Sequence, residues 1–147
     1  MFAMRAFCNP QMMYVAVDPA FSTGWPIYQG RLRDSGVDVR EIRATSRAAV
    51  GRVKEALAGF PIDMLHIDGS HVSLEALWDF DTYSPLVRSG GLILMHDVCG
   101  SQGPGKTLDI ILRSSRAARI QQSLVICDTW AQPEPQRMGI AILRLRT

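Results

Sequence analysis

Short apolar runs, several of them near-continuous, alternate along this chain with stretches of helical spacing. That alternation limits the fold more than any other feature. The predicted strands are Tyr14–Val17, Val37–Ile42, Ile62–Ile67, Leu92–His96, Leu124–Cys127 and Ile140–Leu145. Runs that are apolar at successive positions, rather than at every second one, are expected where helices cover both faces of a parallel sheet. Between the runs lie amphipathic segments. Val50, Val53 and Leu57 make one stripe, with Thr45 or Ser46 placed to cap its start. Leu74, Leu77 and Trp78 make a second, opposite Glu75 and Asp79, and Leu108, Ile111 and Leu112 make a third after Thr107. Gly90-Gly91 is expected to break the chain before a strand, and Pro133-Glu134-Pro135 to loop between the last two strands. Strands alternating with helices imply an α/β sheet with right-handed crossovers.

The 147 residues suit a single domain spanning 1–147. With 47% hydrophobic and 20% charged residues there is enough apolar surface for a core, which argues against disorder. The net charge is +2 and the arginines are scattered, so nucleic acid is not an expected partner. Arg113, Arg116 and Arg119 recur at helical spacing and read as a solvated helix face. Cys8, Cys99 and Cys127 are odd in number and far apart, without CxxC pairs. The expectation is therefore reduced thiols in a cytoplasmic protein, with neither a disulfide framework nor a zinc site. MFAMRAFCNPQMM lacks a basic region followed by a long apolar one, so no signal peptide is expected. No apolar stretch is long enough to span a membrane, and no membrane partner is expected.

In an α/β sheet the chemistry collects at the carboxyl ends of the strands. The residues just past the apolar runs are Asp18, Thr45-Ser46, Asp68, His96-Asp97 and Asp128, and four of these five ends are acidic. In IDMLHIDGSH, Asp68 closes a run, Gly69 permits a tight turn and His71 follows. A carboxylate and an imidazole there suit a metal ligand and a general base, or a helix cap and a solvated histidine. In SGGLILMHDV, His96 and Asp97 close the next run. If the two strands are neighbours, Asp68 and Asp97 meet, and two close carboxylates repel unless a cation or proton intervenes. A hard divalent ion suits such a site, whereas His96 is a softer ligand that could instead orient Asp97. Asp18, after YVAV, could accept hydrogen bonds from a ribose or could be a turn residue before Pro19.

From Ile62 to Val98 the sequence IDMLHIDGSHVSLEALWDFDTYSPLVRSGGLILMHDV resembles the signature of class I S-adenosylmethionine-dependent O-methyltransferases. The resemblance is to the metal-dependent sugar and macrolide enzymes with their cephalosporin-hydroxylase-like relatives, and more distantly to catechol O-methyltransferase. It runs loosely from Tyr14 to the C-terminus. It implies a Rossmann-like sheet, mostly parallel, with SLVICDTW and MGIAILRLR as a final antiparallel pair. By position, Asp18 matches the acidic residue that holds the cofactor's ribose and Ser46 a residue beside the adenine. Asp68 and Asp97 match metal ligands, Asp68 counting among the cofactor contacts as well. His96 stands where relatives often have an acidic ligand, and His71 matches the histidine proposed as base in the macrolide sugar branch. The implied cofactors are S-adenosylmethionine and a divalent metal, with Mg²⁺ the first choice. The implied partner is a small-molecule hydroxyl acceptor such as a sugar or polyketide-like compound, and a homo-oligomer is left open. The family's first strand and Gly-rich loop should precede Tyr14. MFAMRAFCNPQMM contains no glycine, so the expected sheet lacks that strand and loop.

Two other readings compete. Gly100–Thr107, GSQGPGKT, matches the P-loop pattern GxxxxGK[ST] letter for letter, with Lys106 toward an anion and Asp128 as a magnesium-orienting residue. A non-catalytic remnant could instead use Phe2, Phe7, Met12 and Met13 as an interface. Trp25, Trp78 and Trp130 could line a substrate pocket, although Trp78 also fits a packed helix face.

Overall fold

The computed structural model describes residues 12–127 and 138–147. Phe2, Phe7, Cys8, Asp128, Trp130 and the Pro133–Pro135 stretch lie outside the described residues. The chain divides into two compact units, residues 1–60 and 61–147.

The first unit pairs β1 (Met13–Val17) with β2 (Asp38–Ile42) as parallel strands, Tyr14 opposite Val39 and Val17 opposite Ile42. They are joined through α1 (Trp25–Asp34) and followed by α2 (Ser46–Leu57). Thr45 caps α2 by accepting from the Ala48 amide at 3.3 Å, as its position predicts. The buried stripe of α2 is Ala49, Val53 and Leu57. Helix α1 has no such stripe, because Trp25 is its one buried residue. Trp25 belongs to the core rather than to a substrate pocket. It packs with Tyr14, Ala16, Val37 and Val39, stacks on Phe21 at 4.7 Å, and donates its indole N–H to Glu41 Oε2 at 2.6 Å. Burial, helped by Tyr28, raises the Tyr14 phenol well above its ordinary pKa.

The second unit holds a four-stranded sheet in the order β3-β4-β6-β5: β3 (Ile62–Ile67), β4 (Val87–His96), β6 (Gly139–Leu145) and β5 (Ile120–Cys127). β3 and β4 run parallel, and β6 is antiparallel to both β4 and β5, so the last strand pair is antiparallel as the family resemblance implies. One face of this sheet carries Leu65, Ile67, Ile93, Met95, Ala141, Leu143 and Leu145, all buried. Helices α3 (Ser73–Tyr83) and α4 (Gly103–Arg113) contribute Ala76, Phe80, Tyr83, Thr107, Leu108 and Ile111 to the same core. On the opposite face Leu124 and Ile126 are 55% and 56% exposed.

Five local expectations change. On α2 the buried position is Ala49 rather than Val50, which is only partly buried. The packed stripe of α3 is Ala76, Phe80 and Tyr83, while Leu74 is 73% exposed. Apolar residues lie on two sides of this helix, and only the sheet selects between them. Leu112, placed on the apolar stripe of α4, is 37% exposed. Gly90 and Gly91 fall inside β4 rather than ahead of it. They form a bulge, with Ile62 opposite Val87 but Met64 opposite Leu92. Gly90 has φ +70°, and a Cβ at Gly91 would lie 2.6 Å from Val87 Cγ1 and 3.0 Å from the Asp63 carbonyl. Nor do Arg113, Arg116 and Arg119 share a helix face. Arg113 ends α4 and pairs with Asp109, whereas Arg116 and Arg119 lie in a 3-10 turn and bind Asp81 and Ser84 respectively.

Candidate active site

β3 and β4 are parallel neighbours, so their carboxyl ends lie side by side and the residues after each strand converge. His96 Nδ1 lies 3.0 Å from Asp97 Oδ1 and 3.6 Å from Asp68 Oδ1. The ligand atoms of Asp68, His96 and Asp97 all fall within 4.8 Å of one another, a spacing that could hold a metal ion. His71 comes from the turn after β3, and its Nε2 is 3.0 Å from Asp97 Oδ2. Asp97 therefore stands between two imidazoles, one at each oxygen.

Local geometry explains how they meet. Asp97 adopts a left-handed backbone, φ +57°, which is uncommon for a residue with a side chain and turns the chain sharply at the strand's end. Ser70 Oγ accepts from the Val72 amide at 3.1 Å and closes the turn that carries His71. α3 begins after Val72 without a side-chain cap, so Asp68 is not spent on the helix. Gly103, φ +55°, lets the start of α4 approach the same turn, since a Cβ there would lie 2.7 Å from the His71 carbonyl oxygen. Asp68, His71, His96 and Asp97 line a cavity of about 10 Å³, the volume of a water or a small ion rather than of an organic molecule.

The donor set fits a divalent cation. His96 Nδ1 is buried and makes no hydrogen bond despite its closeness to two carboxylate oxygens. An unsatisfied buried nitrogen is costly, and a shared cation would satisfy it together with both carboxylates.

His66, absent from the sequence candidates, belongs to the same neighbourhood. It lies on β3 two residues before Asp68, with its ring edge-on to His96 at 6.3 Å between centroids. Burial lowers its pKa against the opposing charge of Asp68, with a further lowering from His96. Period-two alternation along IDMLHID could have placed it beside the site.

In the first unit, Asp18 and Ser46 follow parallel strands and so belong to one edge of their sheet. Asp18 Oδ1 accepts the Ala20 amide at 2.7 Å, which is the turn role. Ser46 is the first residue of α2 and partly buried.

The P-loop reading does not hold. Thr107 is fully buried, and its hydroxyl donates to the Ser73 carbonyl at 2.8 Å, with the Gly103 carbonyl at 3.2 Å. A Cβ at Gly105 would collide with the Gly100 carbonyl. The glycines and the threonine close the helix onto its neighbours, and Thr107 is not presented to a ligand.

A methyltransferase-domain family model matches residues 2–98, two thirds of the chain. The chain belongs to that methyltransferase family. Comparison with curated proteins finds no match. Among solved structures the methyltransferase chain is similar to an O-methyltransferase from Bacillus cereus in complex with SAH. The TM-score is 0.59 at 15% identity, over 90% of this chain and 62% of that one. It is similar to the MycE methyltransferase of the mycinamycin biosynthetic pathway, in complex with Mg, SAH and mycinamycin VI. There the TM-score is 0.54 at 14% identity, over 92% of this chain and 45% of that one. An rRNA methylase from Streptococcus thermophilus gives 0.55 at 12% identity, over 95% and 89%. These likenesses show the Rossmann-like α/β methyltransferase fold, and its small-molecule and RNA examples leave the acceptor open. The methyltransferase chain spans 62% of the length of the Bacillus cereus protein. Among its described residues no helix is long and apolar enough to cross a membrane.

Proposed function

We propose that this chain takes part in S-adenosylmethionine-dependent, divalent-metal-assisted O-methylation of a small molecule. The observation that carries this reading is the convergence of Asp68, His96 and Asp97 at the ends of adjacent strands, with His71 against Asp97. The Mg and SAH in the MycE complex support the metal and the cofactor, and its mycinamycin supports a small-molecule acceptor.

Asp68, His96 and Asp97 would hold the cation, with Mg²⁺ the natural choice for a carboxylate-rich set. When bound, such an ion acts as a Lewis acid that makes an acceptor hydroxyl easier to deprotonate. His71 would take the proton. Its Nε2 faces Asp97, so in the neutral ring the proton belongs on Nε2 and the basic atom is Nδ1. S-adenosylmethionine, when bound, would supply its sulfonium methyl to the acceptor oxygen, the carbon–sulfur electrons staying on sulfur as S-adenosylhomocysteine. Asp18 would contact the ribose and Ser46 the adenine. Much of the rate would come from holding oxygen, carbon and sulfur in line.

Isothermal titration with S-adenosylmethionine, with and without Mg²⁺, checks the cofactor. Saturable binding that Asp18→Ala weakens strongly is the expected result. A folded protein that binds no cofactor under either condition would sink the proposal.

A further inference from the structure

Cys99 and Cys127 are joined in a disulfide, against the expectation of separate reduced thiols, with Cα atoms 5.6 Å apart across 28 positions of sequence. The strand order explains the meeting. β4 and β5 are each antiparallel to β6 and therefore parallel to one another, so both end on the same edge of the sheet. The bridge must cross β6, which lies between them, and it does so at Gly139. Gly139 is the register partner of Cys127, and a Cβ there would run into Cys99 Sγ. A residue without a side chain therefore stands where the bridge passes, an observation independent of the cysteine spacing.

The segment this bridge restrains is the one that carries Asp97. Cys99 lies two residues beyond Asp97, whose left-handed backbone needs the surrounding structure to hold it. Between them Val98 is buried and donates its amide to the Gly139 carbonyl at 3.4 Å, a long hydrogen bond. Apart from these contacts the loop runs on into Gly100 and the exposed Ser101 and Gln102. Cys127 is exposed at the end of β5 and Cys99 is partly buried, so a small reagent reaches Cys127 first.

We propose that Cys99–Cys127 is a redox-responsive clasp that holds the Asp97 loop in its site geometry. A low-molecular-weight thiolate attacks Cys127 sulfur, breaks the S–S bond and releases the Cys99 thiolate, which takes a proton. A second such thiolate then attacks the mixed disulfide and frees Cys127. The reagent leaves as its own disulfide, having supplied the two electrons, and the reverse sequence closes the clasp. Reduction frees the loop while β4, β5 and β6 stay paired. The consequence for metal affinity rests on the function proposed above, but the clasp itself does not.

The test is hydrogen exchange on the full chain, oxidised with glutathione disulfide or reduced with dithiothreitol, with Cys127→Ser as a variant at an exposed position. Exchange at the Val98 amide should rise on the order of tenfold on reduction and in the variant, as the loop regains chain freedom. Amides in the middle of β4 should not change. Equal Val98 exchange in the oxidised, reduced and Cys127→Ser proteins would overturn the proposal, as would three free thiols after glutathione oxidation. A parallel Mn²⁺ titration should show affinity weakened roughly tenfold on reduction, the size of effect seen when support for a metal ligand is lost. Mn²⁺ binding in neither state would remove the metal reading, and the exchange result would still decide the clasp.

Discussion

The carboxyl edges of β1–β2 and of β3–β4 begin alike: two parallel strands, each pair followed by residues that sequence reasoning marks as functional. They end differently. After β1, Asp18 turns one oxygen back onto the Ala20 amide, so a local turn explains its position. After β3 and β4, two carboxylates and two imidazoles from different turns approach within 3.0 to 3.6 Å, which no local turn requires. An acidic residue at a strand end is therefore weak by itself. Convergence from the neighbouring strand is what separates a site from a turn.

The largest effect should come from the converged edge. His71→Ala should lower kcat for methyl transfer by about 10² to 10⁴, the usual worth of a general base, while changing Mn²⁺ affinity little. Loss of metal binding and activity together would make His71 a support for Asp97 instead. Next is the contrast between the two faces of the second unit's sheet. Ile93 is fully buried and Leu124 is 55% exposed. Ile93→Ala should cost about 2–5 kcal/mol in chemical denaturation, and Leu124→Ala no more than about 0.5 kcal/mol. Comparable losses would show that Leu124 is covered in solution.

A smaller effect separates packing from ligand binding in the GSQGPGKT stretch. Thr107→Val removes a buried donor and leaves the Ser73 carbonyl short of a partner, so it should cost about 1–3 kcal/mol. Nucleotide binding lost in that variant would revive the phosphate reading. Smallest is a pH effect. Burial, then the charge of Asp79, pushes the Tyr83 phenol up to about 12. The folded state therefore keeps its proton through a range where the unfolded chain loses it. Tyr83 contributes fully below pH 10, and that contribution fades as pH rises from 10 toward 12. Wild type should lose stability faster than Tyr83→Phe over that window, and parallel slopes would contradict the assignment.

The strands were legible because β-branched and leucine-rich runs are short and bounded by turn residues. All six predicted strands end on the observed boundary residue, and Ile62–Ile67 matches at both ends. Helix α1 was not, since WPIYQGRLRD buries only Trp25 and shows no apolar stripe. In α3 the reverse held: Leu74, Leu77 and Trp78 compete with Ala76, Phe80 and Tyr83, and spacing alone cannot choose between two apolar stripes. Asp68, His71, His96 and Asp97 were readable together because neighbouring parallel strands bring their ends to one place. The cysteine pair was not readable, because it depends on β6 lying between β4 and β5 and on Gly139 leaving room.

The most direct measurement is titration of the folded protein with Mn²⁺, following free Mn²⁺ by electron paramagnetic resonance, in wild type, Asp68→Asn and Asp97→Asn. One saturable site in wild type, weakened by more than about tenfold in each variant, is the predicted result. No binding by wild type, or equal binding by all three, would contradict the claim that this cluster is a metal centre.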